Sequence, residues 1–238
     1  MIANRAADWQ AWQLIDSGFP TGGFAHSSGL EAAWQHGEVR GRDDLVAFLE
    51  ASLDQLGHAS LPFVLAAFDQ PERLSEFDEL CDAFTLNHVA NRASRAQGRA
   101  FLTAVERIFP AGSDRREGAN SKPIECVLPP APASRRPPAF AHFAPIFGVC
   151  LQGLGLARDT VGRMFFFNQL RSALAAAVRL NIVGPMEAQV LMHRLAPKAE
   201  AILNTCIHLT PDDIAQTAPL LDLWQGTQDR LYSRLFQS

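Results

Sequence analysis

Residues 142–206 read HFAPIFGVCLQGLGLARDTVGRMFFFNQLRSALAAAVRLNIVGPMEAQVLMHRLAPKAEAILNTC. Apolar side chains recur at helical spacing in three runs of this stretch. Asp159 is a possible cap for the second run, and Pro185, directly after Gly184, suits the first turn of the third. The three predicted helices cover about 142–156, 159–181 and 185–206. Long helices joined by short connections predict a helical bundle.

Local start and stop signals predict further helices upstream of this stretch. Ser28 and Glu31 have the spacing of a capping box, and Gly37 is a natural end for the helix that they begin. A second helix is predicted from Asp43 to Gly57, because apolar residues recur on one face between these positions.

The remaining segments complete the predicted architecture. A helical pattern covers residues 72–109, and its polar middle, residues 87–98, suggests a break between two helices. Residues 110–138 are rich in proline and predict a long mobile loop. We interpret them as a loop rather than a domain linker, because neither of the two flanking parts of the chain looks like a complete domain alone. A last helix is expected over 220–236, with a flexible C-terminal tail. We therefore predict an all-α fold, a single-domain helical bundle of about ten helices spanning residues 1–238.

Composition excludes several classes of protein. The chain has 21 Lys+Arg against 25 Asp+Glu, and this net charge of -4 offers no general attraction to nucleic acid or to an anionic membrane. The N-terminus lacks the layout of a secretion signal, and no apolar stretch is long enough to span a bilayer, so we expect a cytoplasmic protein. The four cysteines show no metal-binding or redox spacing and are expected to be buried thiols.

The segment FPTGGFAHSSGLE, residues 19–31, is the most unusual in the chain. A phosphate-binding loop would need different glycine spacing and a preceding strand. A Ser/His hydrolase would need His26 and Ser27 held together with a carboxylate, although neighbours in sequence rarely face each other. The structural alternative is a rigid turn in which Ser27 or Ser28 caps the following helix.

The motifs of the chain resemble the UreF family of urease accessory proteins. FPTGGFAHSSGLEAA at residues 19–33 resembles its N-terminal signature, and YSRLFQS at residues 232–238 resembles its ending. Between them, His142–Gly148, Leu154–Leu156 and Val183–Pro185 match the middle of the family in the same order. The resemblance covers almost the whole chain.

This resemblance implies a scaffold that binds a UreD/UreH-type accessory protein, recruits a UreG-type GTPase and docks on the urease apoprotein to deliver nickel. It implies a loop and a tail that act together, with Arg234 meeting the aromatic residue at position 24. Many relatives have Tyr there, so Phe24 removes any role for a hydroxyl. The partner-binding residues that the resemblance implies for this chain are Gly22, Gly23, Phe24, Ser27, Glu31, Tyr232, Arg234, Leu235 and Phe236.

No enzymatic role, cofactor or metal site is expected. The seven histidines include no His-x-x-x-His pair, and nucleotide-binding and catalytic motifs are missing from the sequence. Two rival hypotheses stay open. One is a small Ser/His hydrolase or metalloenzyme that uses Ser27, His26 and a distant carboxylate, and the other is a helical adaptor for another GTPase.

Two further surfaces stand out on predicted helices. Phe165, Phe166 and Phe167 are consecutive, and each residue turns a helix by about 100°, so one ring should face a partner unless the helix is buried all round. The resemblance assigns this helix to a homodimer interface that contains Arg163 and Phe167. A second stripe, formed by Arg92, Arg95 and Arg99, is interpreted as a solvated face or as a docking patch for an acidic partner.

Overall fold

The computed structural model describes residues 5–21, 23–110 and 139–238. Within these residues the chain is all-α, as predicted, and no strand occurs. Ten α-helices follow one another: α1 Arg5–Ile15, α2 Leu30–Gln35, α3 Arg42–Gln55, α4 Leu61–Asp69, α5 Leu74–Phe84, α6 His88–Ile108, α7 Phe143–Gly153, α8 Arg158–Arg179, α9 Pro185–Cys206 and α10 Pro219–Gly226.

Helix α7 lies at the centre of the bundle. Its residues from Ala144 to Leu151 are all buried, and it packs mainly on α4 and α6. The contact with α4 is backbone to backbone, since a Cβ on Gly148 would lie 2.1 Å from the carbonyl oxygen of Val64. Gly98 allows an equally close contact on α6, because a Cβ there would lie 1.9 Å from the carbonyl oxygen of Ala141.

The three helices predicted between residues 142 and 206 are confirmed. The third begins at Pro185 and ends at Cys206, as the sequence indicates. The N-cap proposed for the second helix is wrong, because the N-cap is Ala157. Asp159 lies in the first turn instead, where an acidic side chain is favoured by the positive end of the helix dipole. Helices α8 and α9 pack side by side.

The predicted helix end at Gly57 is wrong. Helix α3 continues through a π-helical turn at Leu56–Ser60 directly into α4. A Cβ on Gly57 would lie 2.7 Å from Ile202 Cγ2 and 3.0 Å from Cys206 Sγ. The glycine therefore serves the close approach of α9, and it does not terminate a helix.

The break within residues 72–109 falls earlier than predicted. It lies at Thr85–Asn87, and the polar residues 88–98 belong to α6. The Asn87 side chain begins that helix, because its oxygen accepts hydrogen bonds from the backbone N–H groups of Val89 and Ala90 at 3.0 and 3.3 Å.

The last predicted helix is too long. Helix α10 ends at Gly226, a short 3-10 turn follows at Gln228–Arg230, and the remaining residues are not helical. The predicted mobile loop lies outside the described residues, except for Pro110. Cys81, Cys150 and Cys206 are free and buried, whereas Cys126 lies outside the described residues. No helix among the described segments is long and apolar enough to cross a membrane.

A buried carboxylate fixes the start of α7. Asp78 on α5 is fully buried and accepts hydrogen bonds from the backbone N–H groups of Phe140, Ala141 and His142 at 2.8, 3.0 and 2.7 Å. Ala141 takes a positive φ of 59°, so this turn needs external support.

We expect Asp78→Asn to lower the free energy of unfolding by about 2–3 kcal/mol, because an amide replaces a carboxylate that satisfies three buried donors. Urea denaturation followed by circular dichroism measures the change. Glu79→Gln, at the exposed neighbouring position, is the matched control and should change little. Equal stability of both variants would contradict this role for Asp78.

Candidate partner-binding site

The glycine-containing loop is a sequence of tight turns that leads into α2. Gly23–Ala25 form a 3-10 turn, and Ser28 and Gly29 both have positive φ angles, of 52° and 87°. The predicted capping box is wrong, because Gly29 is the N-cap and no side chain caps the helix there. Ser27 contributes instead, since its hydroxyl accepts a hydrogen bond from the Glu31 N–H at 3.3 Å. Gly22 and the side chain of Phe24 lie outside the described residues.

The carboxylate of Glu31 binds the C-terminal tail. Glu31 is fully buried, and its Oε1 accepts a hydrogen bond from the Leu235 N–H at 2.6 Å. Its Oε2 accepts from the Phe236 N–H at 3.1 Å and from the Gln228 amide at 2.6 Å. The carboxylate is thereby satisfied by three donors from residues far away in the sequence. Gln228 was missed by the sequence reasoning, and no local pattern marks it.

The last residues of the chain pair with the loop. The Gln237 N–H donates to the carbonyl oxygen of Ala25 at 2.7 Å, and the N–H of Ser27 donates to the carbonyl oxygen of Ser238. The Ser27 hydroxyl donates to the same oxygen at 3.0 Å, and His26 Nδ1 lies 2.6 Å from the Ser238 hydroxyl. Burial, with a smaller effect of the Arg92 charge, lowers the pKa of His26, which favours the neutral ring at this contact.

An arginine covers the apolar part of the tail. The Phe236 ring is buried, and the Arg179 guanidinium lies 4.2 Å from its centroid. Arg179 also donates to the carbonyl oxygen of Leu235 at 3.3 Å. In contrast, Tyr232 is fully exposed and the Leu235 side chain is 59% exposed. The tail thus anchors one ring and leaves two large side chains at the surface.

Arg234, near the end of the tail, forms an ion pair with Asp229. Its guanidinium donates to Asp229 Oδ1 at 3.0 Å, and Asp229 also binds the forked side chain of Arg92 at 2.9 Å. His88 Nε2 is 3.4 Å from the same carboxylate. Hydrogen bonding from Arg92, foremost, holds the pKa of Asp229 below its usual value. The expected contact between Arg234 and the Phe24 ring stays a prediction, as does the mobility of the tail in the free chain.

Of the described residues that we expect to bind a partner, the structure joins Glu31 to Leu235 and Phe236, and Ser27 to the last residue of the tail. Gly23 begins the 3-10 turn of the loop, and Tyr232 is exposed. Arg163 and Phe167 lie in the first half of α8, whereas Arg179 is its last residue. Arg163 forms an ion pair with Glu200 at 2.8 Å. Phe165 and Phe166 are buried and Phe167 is 38% exposed, so one of the three rings reaches the surface.

Catalytic geometry is not formed by the residues proposed for a hydrolase. His26 and Ser27 each contact Ser238, and no hydrogen bond joins them to each other within the described part of the chain. His142 does lie between Ser94 Oγ and Asp82 Oδ1, at 3.1 and 3.0 Å, but it is fully buried. This contact fastens α7 to α5 and α6. No cluster of three or more His, Cys, Asp or Glu side chains suited to a metal occurs in residues 5–21, 23–110 and 139–238.

Replacing the central carboxylate should release the tail. Glu31→Gln keeps the size of the side chain but places an amide N–H group opposite N–H donors of the tail. This should weaken the attachment of the tail by ~2 kcal/mol. Hydrogen exchange should show faster exchange at the amides of Leu235 and Phe236 than in the unaltered protein. Glu38→Gln, at an exposed position, is the control. Unchanged protection of the tail amides in Glu31→Gln would show that the carboxylate does not hold the tail.

Comparisons with known proteins agree with this arrangement of motifs. The family model described as UreF matches residues 39–196. Urease accessory protein F of Arabidopsis thaliana is 40% identical over 238 residues, covering 99% of this chain and 95% of the relative. The protein of that name from Oryza sativa subsp. indica is 35% identical, covering 98% of this chain and 86% of its own.

The loop and the tail lie outside the residues that the family model matches, but the alignments with the plant relatives cover nearly the whole chain. An uncharacterized urease accessory protein UreF-like of Schizosaccharomyces pombe is 30% identical, over 94% of each chain. The sequence motifs, the all-α fold and these full-length similarities agree, and the chain belongs to the UreF family of urease accessory proteins.

Proposed function

We propose that this protein acts without chemistry of its own, as a cytoplasmic scaffold for nickel insertion into urease. It binds a UreD/UreH-type accessory protein through the loop and the tail. The assembled pair then recruits a UreG-type GTPase and docks on the urease apoprotein, and GTP turnover is coupled to release of nickel. Nickel is cargo in this proposal, and the chain keeps no resident metal or other cofactor.

One observation carries the proposal. The tail is bound to the loop through its backbone and Phe236, while Tyr232 and Leu235 stay exposed beside it. Large apolar groups on an ordered backbone lose little further freedom when a partner covers them, which favours binding. We call residues 23–31 and 228–238 the loop–tail unit. Its exposed side chains therefore supply the contacts with a partner, and its buried hydrogen bonds keep the tail backbone in place.

The rival functions make different predictions. The hydrolase hypothesis requires Ser27 to be accessible to substrate, but Ser27 is buried and its hydroxyl donates to Ser238. Co-purification distinguishes the second rival hypothesis, because a helical adaptor for another GTPase would not retain the urease GTPase. A pull-down with the accessory protein and the GTPase distinguishes these possibilities directly.

The exposed tail arginine tests the role of the loop–tail unit. We expect Arg234→Ala to leave the melting temperature of the free protein nearly unchanged, since an exposed ion pair contributes only about 0–1 kcal/mol. Recruitment of the GTPase and activation of urease in cells should both fall. Arg234→Lys should restore little of the GTPase recruitment or urease activation, because Lys lacks the planar fork of donors.

Arg194→Ala, at an exposed position of α9 outside the loop–tail unit, is the matched control and should retain urease activation. A truncation that removes residues 230–238 should abolish activation while the remaining helices stay folded. Full activation by the truncated chain would refute the proposed role. A truncated chain that is unfolded would also count against it, because the tail would then serve stability.

We further propose that the chain forms a homodimer through the face of α8 that carries Arg163 and Phe167. These residues are one helical turn apart, and burial of the half-exposed Phe167 ring contributes up to ~2 kcal/mol. Phe167→Asp should therefore give a folded monomer, because a buried unpaired charge costs at least as much. Sedimentation measures this, with Leu80→Asp, on α5, as the control at a similarly exposed position. An unchanged dimer would place the interface elsewhere.

A further inference from the structure

A basic groove lies at the beginning of α6, next to the turn that joins it to α5. Three arginines and a histidine line it, and no carboxylate is among its lining residues. The residues that line it, called the arginine groove below, are Thr85, Leu86, His88, Asn91, Arg92, Arg95 and Arg99. The arginines recur every three or four residues, so they lie along one face of the helix.

Two of these arginines are held in place without a carboxylate. The guanidinium of Arg95 lies 5.0 Å from the centroid of the Phe140 ring, and Arg99 Nη1 donates to the carbonyl oxygen of Phe140 at 3.3 Å. Phe140 is itself fixed by its N–H bond to Asp78. The contacts with Phe140 hold both side chains in place. Each guanidinium has five donor hydrogens, so both side chains also retain donors for a ligand.

The acidic groups around the groove are already engaged. Asp82 on α5 accepts hydrogen bonds from Asn91 at 2.8 Å and from His142 at 3.0 Å. Asp229 binds Arg92 and Arg234, with His88 nearby. No ion pair joins Arg95 or Arg99 to a carboxylate in the part of the chain that the structure describes. The groove therefore has surplus positive charge on a protein whose net charge is -4.

An apolar side chain stands at the edge of the groove. Leu86, in the turn between α5 and α6, is 90% exposed. A partner with carboxylates for the arginines and an apolar side chain for Leu86 would fit both features. A nucleic acid backbone supplies the negative charge but offers Leu86 no matching contact, and the ring of Phe140 is covered by Arg95.

We propose that the arginine groove binds an acidic segment of a protein partner that also carries apolar side chains. The arginine groove adjoins the loop–tail unit, because Arg92 and Arg234 both bind the carboxylate of Asp229. The test therefore uses Arg95 and Arg99, which make no such bond. The inference goes beyond the proposed scaffold role, and its test measures direct binding, whereas the tail experiments measure urease activation. Failure of one is therefore distinguishable from failure of the other.

The test uses the full chain and a fluorescein-labelled peptide in which leucines interrupt runs of glutamate. Fluorescence anisotropy at low and at physiological salt should show saturable binding that weakens as salt rises. Arg95→Glu with Arg99→Glu should weaken binding by about tenfold or more, because charge-assisted hydrogen bonds become repulsive contacts. Arg194→Glu with Lys198→Glu, on exposed positions of α9, changes the net charge equally and should leave binding unchanged.

Two further probes and a milder variant complete the test. The same peptide with glutamine in place of glutamate should bind at least tenfold more weakly, and Leu86→Ser should weaken binding of the acidic peptide severalfold. Arg95→Gln with Arg99→Gln should also weaken binding if the charge-reversed protein fails to fold. Equal loss in the α9 control, undiminished binding of the neutral peptide, or tighter binding of a single-stranded uridine oligomer would overturn the proposal.

Discussion

The close approach of helix backbones around α7 is the constraint on which the rest of the bundle depends. Gly148 brings α7 against α4, and Gly98 brings α6 against the residues that begin α7. A side chain at either position would meet backbone atoms, which cannot move aside as the end of a flexible side chain can. Helix α7 is consequently enclosed by apolar neighbours, and the polar groups at its start must be satisfied from within the protein. The carboxylate of Asp78 binds the turn that leads into the helix, and Ser94 Oγ accepts from the N–H group of its first residue, Phe143.

A second buried carboxylate, Glu31, organises the surface that we connect with function. Burial of a charge is unfavourable unless donors surround it, and the donors come from Gln228 and from the backbone of the tail. The first helix after the loop and the end of the chain are thereby joined. Arg179 adds a contact from α8, the helix that also carries Phe167 about 18 Å away along its axis. One rigid element thus spans the proposed tail and dimer surfaces.

These features suit a protein that works by assembling others. Its polar interior groups are used to position backbone segments, as Asp78, Glu31 and His142 illustrate. Its exposed large side chains include Tyr232 and Leu235 on the tail and Phe167 on α8.

Local chemistry in the sequence determined the helical class, the bounds of α9 and the end of α2 near Gly37, because periodicity and the conformations of proline and glycine act over a few residues. Tertiary structure alone decided what Gly57 and Glu31 do. Gly57 looked like a helix end, but the packing of Ile202 and Cys206 explains it. Glu31 looked like half of a capping box, yet its partner Leu235 lies 204 residues away. Such long-range contacts depend on how complete helices pack, and no local pattern of residues contains that information.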